Sequence, residues 1–91
     1  MMKYTVEFVG TFIFLSVILS HPEPIPIAIA LAAVILFGAA VSGAHYNPAV
    51  SVMMAMNGTM PIPEMMGYIA AQIAGAALAL FVYNRYIKNN K

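Results

Sequence analysis

Ser42-Gly43-Ala44-His45-Tyr46-Asn47-Pro48-Ala49-Val50-Ser51-Val52-Met53-Met54-Ala55-Met56 begins as a loop and ends as a helix. Gly43 and Ala44 permit a tight backbone. Asn47 is a good N-cap, and Pro48 suits the first helical turn, where its missing N–H has no intrahelical partner. From Ala49 to Met56 only Ser51 is polar and no residue is charged. A helix of about nine residues at 1.5 Å per residue is roughly 13 Å long. That is less than half of a hydrocarbon core of roughly 30 Å. The stretch therefore reads as an apolar half-helix entered through a non-helical loop.

Working outward, composition supplies the solvent. The chain has 91 residues, 63% hydrophobic and 8% charged, with a mean hydropathy of +0.88. A soluble domain of this size could not cover its surface with so few charges. The expectation is an integral, multi-pass membrane protein in contact with the lipid bilayer. A net charge of +1 offers no basic stripe for nucleic acid. With no cysteine there is no disulfide framework and no thiolate metal site. No cofactor is implied.

The first spanning segment covers residues 4–20. A secretory signal peptide is the rival reading, with Lys3 as its basic start. Glu7 inside the run and the poor cleavage site at Ser20-His21-Pro22 oppose it. His21-Pro22-Glu23-Pro24-Ile25-Pro26 ends the helix in a surface turn. A second, uncharged span follows over residues 26–42, then the loop and half-helix over 43–57. Asn57-Gly58-Thr59-Met60-Pro61-Ile62-Pro63 is another turn cluster. Asn57-Gly58-Thr59 fits a glycosylation acceptor but lies too close to the membrane to be used. Glu64 opens the third span, where an acid suits the helix dipole. This span covers residues 64–85, and Arg85, Lys88 and Lys91 mark a wet basic tail over 85–91.

The expected fold class is an all-α membrane protein: three transmembrane helices plus one re-entrant half-helix, in a single unit over residues 1–91. Re-entrant backbone cannot face lipid, because its N–H and C=O groups would lack partners. Three helices cannot enclose a half-helix on every side. The half-helix is thus expected to face the interior of a larger assembly.

The loop Ser42-Gly43-Ala44-His45-Tyr46-Asn47-Pro48-Ala49-Val50 resembles the first signature loop of the major intrinsic proteins, the aquaporins and glycerol facilitators. Glu7-Phe8, Gly10-Thr11-Phe12 is similar to that family's first helix. Tyr68, Ala70-Ala71-Gln72 and Gly75-Ala76 are similar to its third, and Asn57-Gly58 with Pro61 to the turn after its half-helix. The family fold is two inverted repeats with six helices and two half-helices. The resemblance covers the first repeat, so the fold implied is half of an aquaporin-like fold.

The resemblance implies roles. Asn47, with Pro48 and Ala49, would sit at the pore centre, its amide donating to the permeating molecule; the bland reading is an N-cap alone. Carbonyls of Gly43, Ala44, His45 and Tyr46 would line the pore. His45 is otherwise a packed loop histidine, and only His21 accompanies it, so no metal site is expected. Glu7 would brace the loop from inside the protein, or else snorkel to the interface. Gln72 would brace it as a buried amide between helices. Gly67, Ala71, Gly75 and Ala79 form a stripe of small residues for helix packing. Methionines at 53, 54, 56, 60, 65 and 66 raise copper(I) as an idea, but Met56 and Met60 straddle a turn, and adaptable packing is the expected role.

Two function classes follow. One is a channel subunit for passive diffusion of water or small neutral solutes such as glycerol, completed by self-association as an antiparallel dimer or higher oligomer. The other is a non-conducting or regulatory membrane subunit, or a truncated remnant, associating with a full-length aquaporin. No nucleophile–base pair suggests an enzyme. The family's second loop, followed by an arginine, is absent here, and ungapped counting puts Ile27 where its water channels carry a filter aromatic. The side holding the N-terminus carries Lys3, and the other carries Arg85, Lys88 and Lys91. The positive-inside rule would put the C-terminus in the cytoplasm, whereas the family start is cytoplasmic. So small a bias suits insertion in both orientations.

Overall fold

The computed structural model describes residues 1–90; Lys91, the last cation of the basic tail, lies outside them. Four α-helices follow in order: α1 over Met2–Ser20, α2 over Pro24–Ser42, α3 over Pro48–Met56 and α4 over Ile62–Val82. The helical path of α4 continues through a wider π turn, Tyr83–Ile87, and a tight 3-10 turn, Lys88–Asn90. Arg85 and Lys88 therefore ride on helical backbone.

Three segments, Met2–Ser20, Pro24–Ser42 and Ile62–Ile87, are long and apolar enough to cross a membrane. At 19 residues, α1 and α2 each measure roughly 28 Å, close to the hydrocarbon thickness. The longest molecular extent, 44 Å, matches a bilayer with its headgroups, roughly 40–45 Å. The fold is an all-α, three-span membrane architecture with one half-helix.

Proline placement sets the helix starts. Pro24 and Pro26 fall in the first turn of α2, whose N–H groups have no intrahelical partner anyway. The proline cluster thus breaks α1 and launches α2, which begins two residues earlier than the sequence reading places it. The same holds for α4, with Pro61 as N-cap and Pro63 inside the first turn. α2 ends at Gly43, which takes a left-handed φ of 85° and donates its N–H to the Ala39 carbonyl at 3.0 Å.

α1 is the central element, with α2 and α4 packed on it and α3 resting on α4. Lys3 pairs with Glu64 at 2.5 Å, so the first turns of α1 and α4 lie side by side and the two helices run parallel. The small-residue stripe of α4 faces α1. A Cβ on Gly75 would stand 2.7 Å from the Phe8 carbonyl oxygen, so that glycine permits backbone-to-backbone contact. Gly67 lies against the Tyr4 ring, Ala71 is half-buried and Ala79 is buried. α2 buries only Ala30, Val34, Gly38 and Ser42, one residue every four. Most of the rest of its apolar surface, Ile29, Leu36 and Phe37 included, is exposed.

Candidate functional site

The loop between α2 and α3 carries the unusual backbone. Besides Gly43, Ala44 and Tyr46 take left-handed φ values of 54° and 51°. Such conformations in residues with a Cβ cost of order 1–3 kcal/mol each and persist only where surroundings hold them. Here the holders are side chains. Ala44 N–H donates to Ser42 Oγ at 3.1 Å. His45 N–H donates to Glu7 Oε2 at 3.0 Å, and Tyr46 N–H to Glu7 Oε1 at 2.8 Å.

The Glu7 carboxylate also accepts from Ser42 Oγ at 2.7 Å and from Gln72 Nε2 at 2.9 Å. Its two oxygens thus receive two donors each, and the residue is 0% exposed. A charge taken out of water is tolerable when its lone pairs are filled this way. Gln72 Nε2 donates onward to Ser51 Oγ at 3.0 Å, and Ser51 Oγ shares a hydrogen bond of 2.8 Å with His45 Nδ1. The His45 ring also stacks at a tilt on Tyr68, centroids 4.8 Å apart, and the Tyr68 hydroxyl donates to the Ser42 carbonyl at 2.7 Å. All four helices therefore meet the loop through one polar network in an apolar body.

Asn47 is extended and caps α3, its Oδ1 accepting from Ala49 N–H at 2.8 Å. Asn47, Pro48 and Ala49 are exposed at the corner. Gly10 and Thr11 lie midway along α1, and Tyr46 packs on Gly10, so this corner is level with the middle of α1. Two cavities flank it. One, about 320 Å³, has Phe14, Leu31, Ile35 and Val50 on its apolar side and Ala44, His45, Tyr46 and Asn47 on the other. The second, about 240 Å³, lies toward α4 between Leu15, Ile73, Ala76 and Pro48. Among the described residues no protein group donates to the carbonyls of residues 43–46.

The site residues named from sequence thus fall in two groups. Gly43 through Ala49, with Glu7 and Gln72, gather at this corner; Gly67, Ala71 and Gly75 lie on the α1–α4 seam. Sequence reasoning missed the parts played by Ser42, Ser51 and Tyr68. Ser51 had a signal, being the one polar residue of the half-helix. No group of three or more metal-ligating side chains occurs among the described residues.

The chain thus joins three helices of membrane-spanning length to one half-helix entered through a loop. The model of the Major intrinsic protein family matches residues 23–91. The chain is 38% identical over 88 residues to "Glycerol uptake facilitator protein-like 6" of Lactiplantibacillus plantarum, covering 87% of this chain and 41% of that protein. It is 39% identical over 66 residues to "Glycerol uptake facilitator protein" of Bacillus subtilis, covering 71% and 23% respectively. With "Aquaporin NIP3-1" of Arabidopsis thaliana identity is 52% over 42 residues, 46% of this chain and 13% of that one. The chain belongs to the major intrinsic protein family, whose members are membrane channels rather than enzymes. It spans about two fifths, 41%, of the length of the Lactiplantibacillus relative. No solved structure matches it.

Proposed function

We propose that the chain forms half of a narrow pore for passive diffusion of water and small neutral solutes such as glycerol, and that a second chain inserted antiparallel completes it. The observation that supports this best is the division of the loop at residues 44–46. Its N–H groups are consumed by Glu7 and Ser42, while its carbonyls are left as acceptors beside a cavity whose other wall is apolar. A solute can trade hydrogen bonds along such a row without stripping all of its hydration at once. The N-terminus of α3 adds a partial positive charge of roughly half a unit at mid-membrane, which disfavours cations and protons. Asn47 Nδ2 is the donor offered to the permeant.

The second chain answers the backbone problem. The corner at residues 47–49 is exposed in the single chain, and lipid cannot satisfy it. A twofold, oppositely inserted copy would bury both corners and supply the second half-helix. No arginine stands at the corner, so glycerol is expected to pass as well as water.

The test is swelling of reconstituted vesicles with water and glycerol, together with a C-terminal tag probed from each face of intact membranes. Flux of both solutes and access from both faces are expected. Asn47→Asp should lower neutral flux or open a cation leak, with assembly intact. A single uniform orientation, or silent vesicles that conduct only when a full-length family member is added, would replace self-association with a mixed assembly.

A further inference from the structure

The Tyr46 side chain does something that the carbonyl row does not require. Its backbone belongs to the loop, yet its ring is withdrawn between α1 and α2 and is 4% exposed. Two glycines make the slot. A Cβ on Gly10 would stand 2.1 Å from Tyr46 Cε1, and one on Gly38 would stand 1.9 Å from the hydroxyl oxygen. Val6 and Val34 close the sides. At the end of the slot the hydroxyl donates to the Val34 carbonyl at 2.6 Å.

That bond has a place in the geometry of the larger cavity. Glu7 holds the loop to α1, and Ser42 holds it to the last residue of α2. Val34 is eight residues before Ser42, roughly 12 Å further along the helix. It lies within one turn of Leu31 and Ile35, the residues through which α2 walls the cavity. The Tyr46 hydroxyl thus ties the carbonyl side of the cavity to the apolar side at the depth where the two face each other. α2 also packs on α1, with Gly38 close to Val6, so the hydroxyl adds one polar tie to an otherwise apolar seam at this depth.

We infer that Tyr46 is a specificity-determining positioning residue, whose hydroxyl sets the gap between the loop carbonyls and the Leu31–Ile35 wall. It thereby sets the largest neutral solute that passes. This rests on the channel reading for its flux readout, and on the hydrogen bond alone for its structural readout.

Tyr46→Phe keeps the ring in the slot and removes the bond. In reconstituted vesicles the variant should assemble and pass water within about twofold of the parent, while the erythritol-to-water permeability ratio rises about fivefold, the scale of one lost hydrogen bond. A merely structural tyrosine would change the number of working channels and leave that ratio alone. The chain has no cysteine, so spin labels at Leu36→Cys on α2 and Met53→Cys on α3, both exposed and outside the cavity lining, report how firmly α2 is held against the half-helix. Their distance distribution should broaden in Tyr46→Phe. An unchanged permeability ratio, an unchanged distribution or loss of assembly overturns the inference. If the parent protein conducts nothing, the channel reading fails by itself, and the spin-label distances alone decide whether the hydroxyl holds α2 against the half-helix.

Discussion

Two glutamates of this chain sit on parallel helices and behave as different residues. Glu64 is at the first turn of α4, part-exposed, and meets one flexible partner, Lys3. Glu7 is one turn deeper on α1, fully buried, and meets four donors from α2, the loop and α4. The surface pair is in high dielectric, where Coulomb attraction is screened and two long side chains must be ordered to realise it. The buried carboxylate has no water to fall back on, and neither do its donors. The glycines repeat the contrast. Gly67, near the surface, abuts the movable ring of Tyr4, whereas Gly75, near mid-membrane, abuts the backbone of Phe8 and Phe12. Depth in the membrane decides how much a group matters, because it decides whether a neighbour can yield or water can substitute.

The largest expected effect is from Glu7→Ala. It strands the N–H groups of His45 and Tyr46 and the donors of Ser42 and Gln72 in an apolar body, and frees a loop held in left-handed φ. A loss of about 3–5 kcal/mol is expected, seen as failure to accumulate or a collapsed thermal midpoint in micelles. Glu7→Gln retains one acceptor oxygen and turns the other into a competing donor. About half that loss is expected, roughly 2 kcal/mol. Equal behaviour of Glu7→Ala and Glu64→Ala would break the comparison.

Next comes Gly75→Ala. Its methyl would meet backbone at 2.7 Å, so α1 and α4 must separate, lengthening the Gln72–Glu7 bond nearby. A cost of about 1–3 kcal/mol is expected for such overpacking. Gly67→Ala should cost less, because a rotation of Tyr4 relieves it. Thermal midpoints of the two variants, measured side by side, check the order. Smallest is Glu64→Gln, for which the midpoint should not move measurably, while its slight salt dependence disappears. A large shift there would mean that the Lys3–Glu64 pair is structural rather than peripheral.

Much of the fold is legible in the sequence because the relevant forces are local. Apolar runs bounded by proline clusters give three spans, and Asn47-Pro48 gives the start of the half-helix through capping and a missing N–H. Even where the spans begin earlier than the turn chemistry suggests, the reason is local: Pro24, Pro26 and Pro63 are compatible with a first turn, and a proline cluster alone does not reveal on which side of the boundary each one falls. The gathering of Gly43 to Ala49 is likewise inherent in their contiguity.

What chain order could not supply is which distant groups meet that loop. Glu7 is 38 and 39 residues from the amides that it accepts, and Gln72 is 65 residues from Glu7. No periodicity links such positions; the family resemblance, not spacing, is what offers Glu7 and Gln72 as braces of the loop. Gly10 and Gly38 are still less visible, since a glycine in an apolar helix carries no mark of the ring that will fill its place. Sequence determined the helices, the half-helix and their solvent, because backbone capping and hydrophobicity act over a few residues. Only the tertiary structure decided that a carboxylate takes the loop's amides and a tyrosine fills a glycine slot, because those outcomes depend on which surfaces of α1, α2 and α4 come within hydrogen-bonding distance.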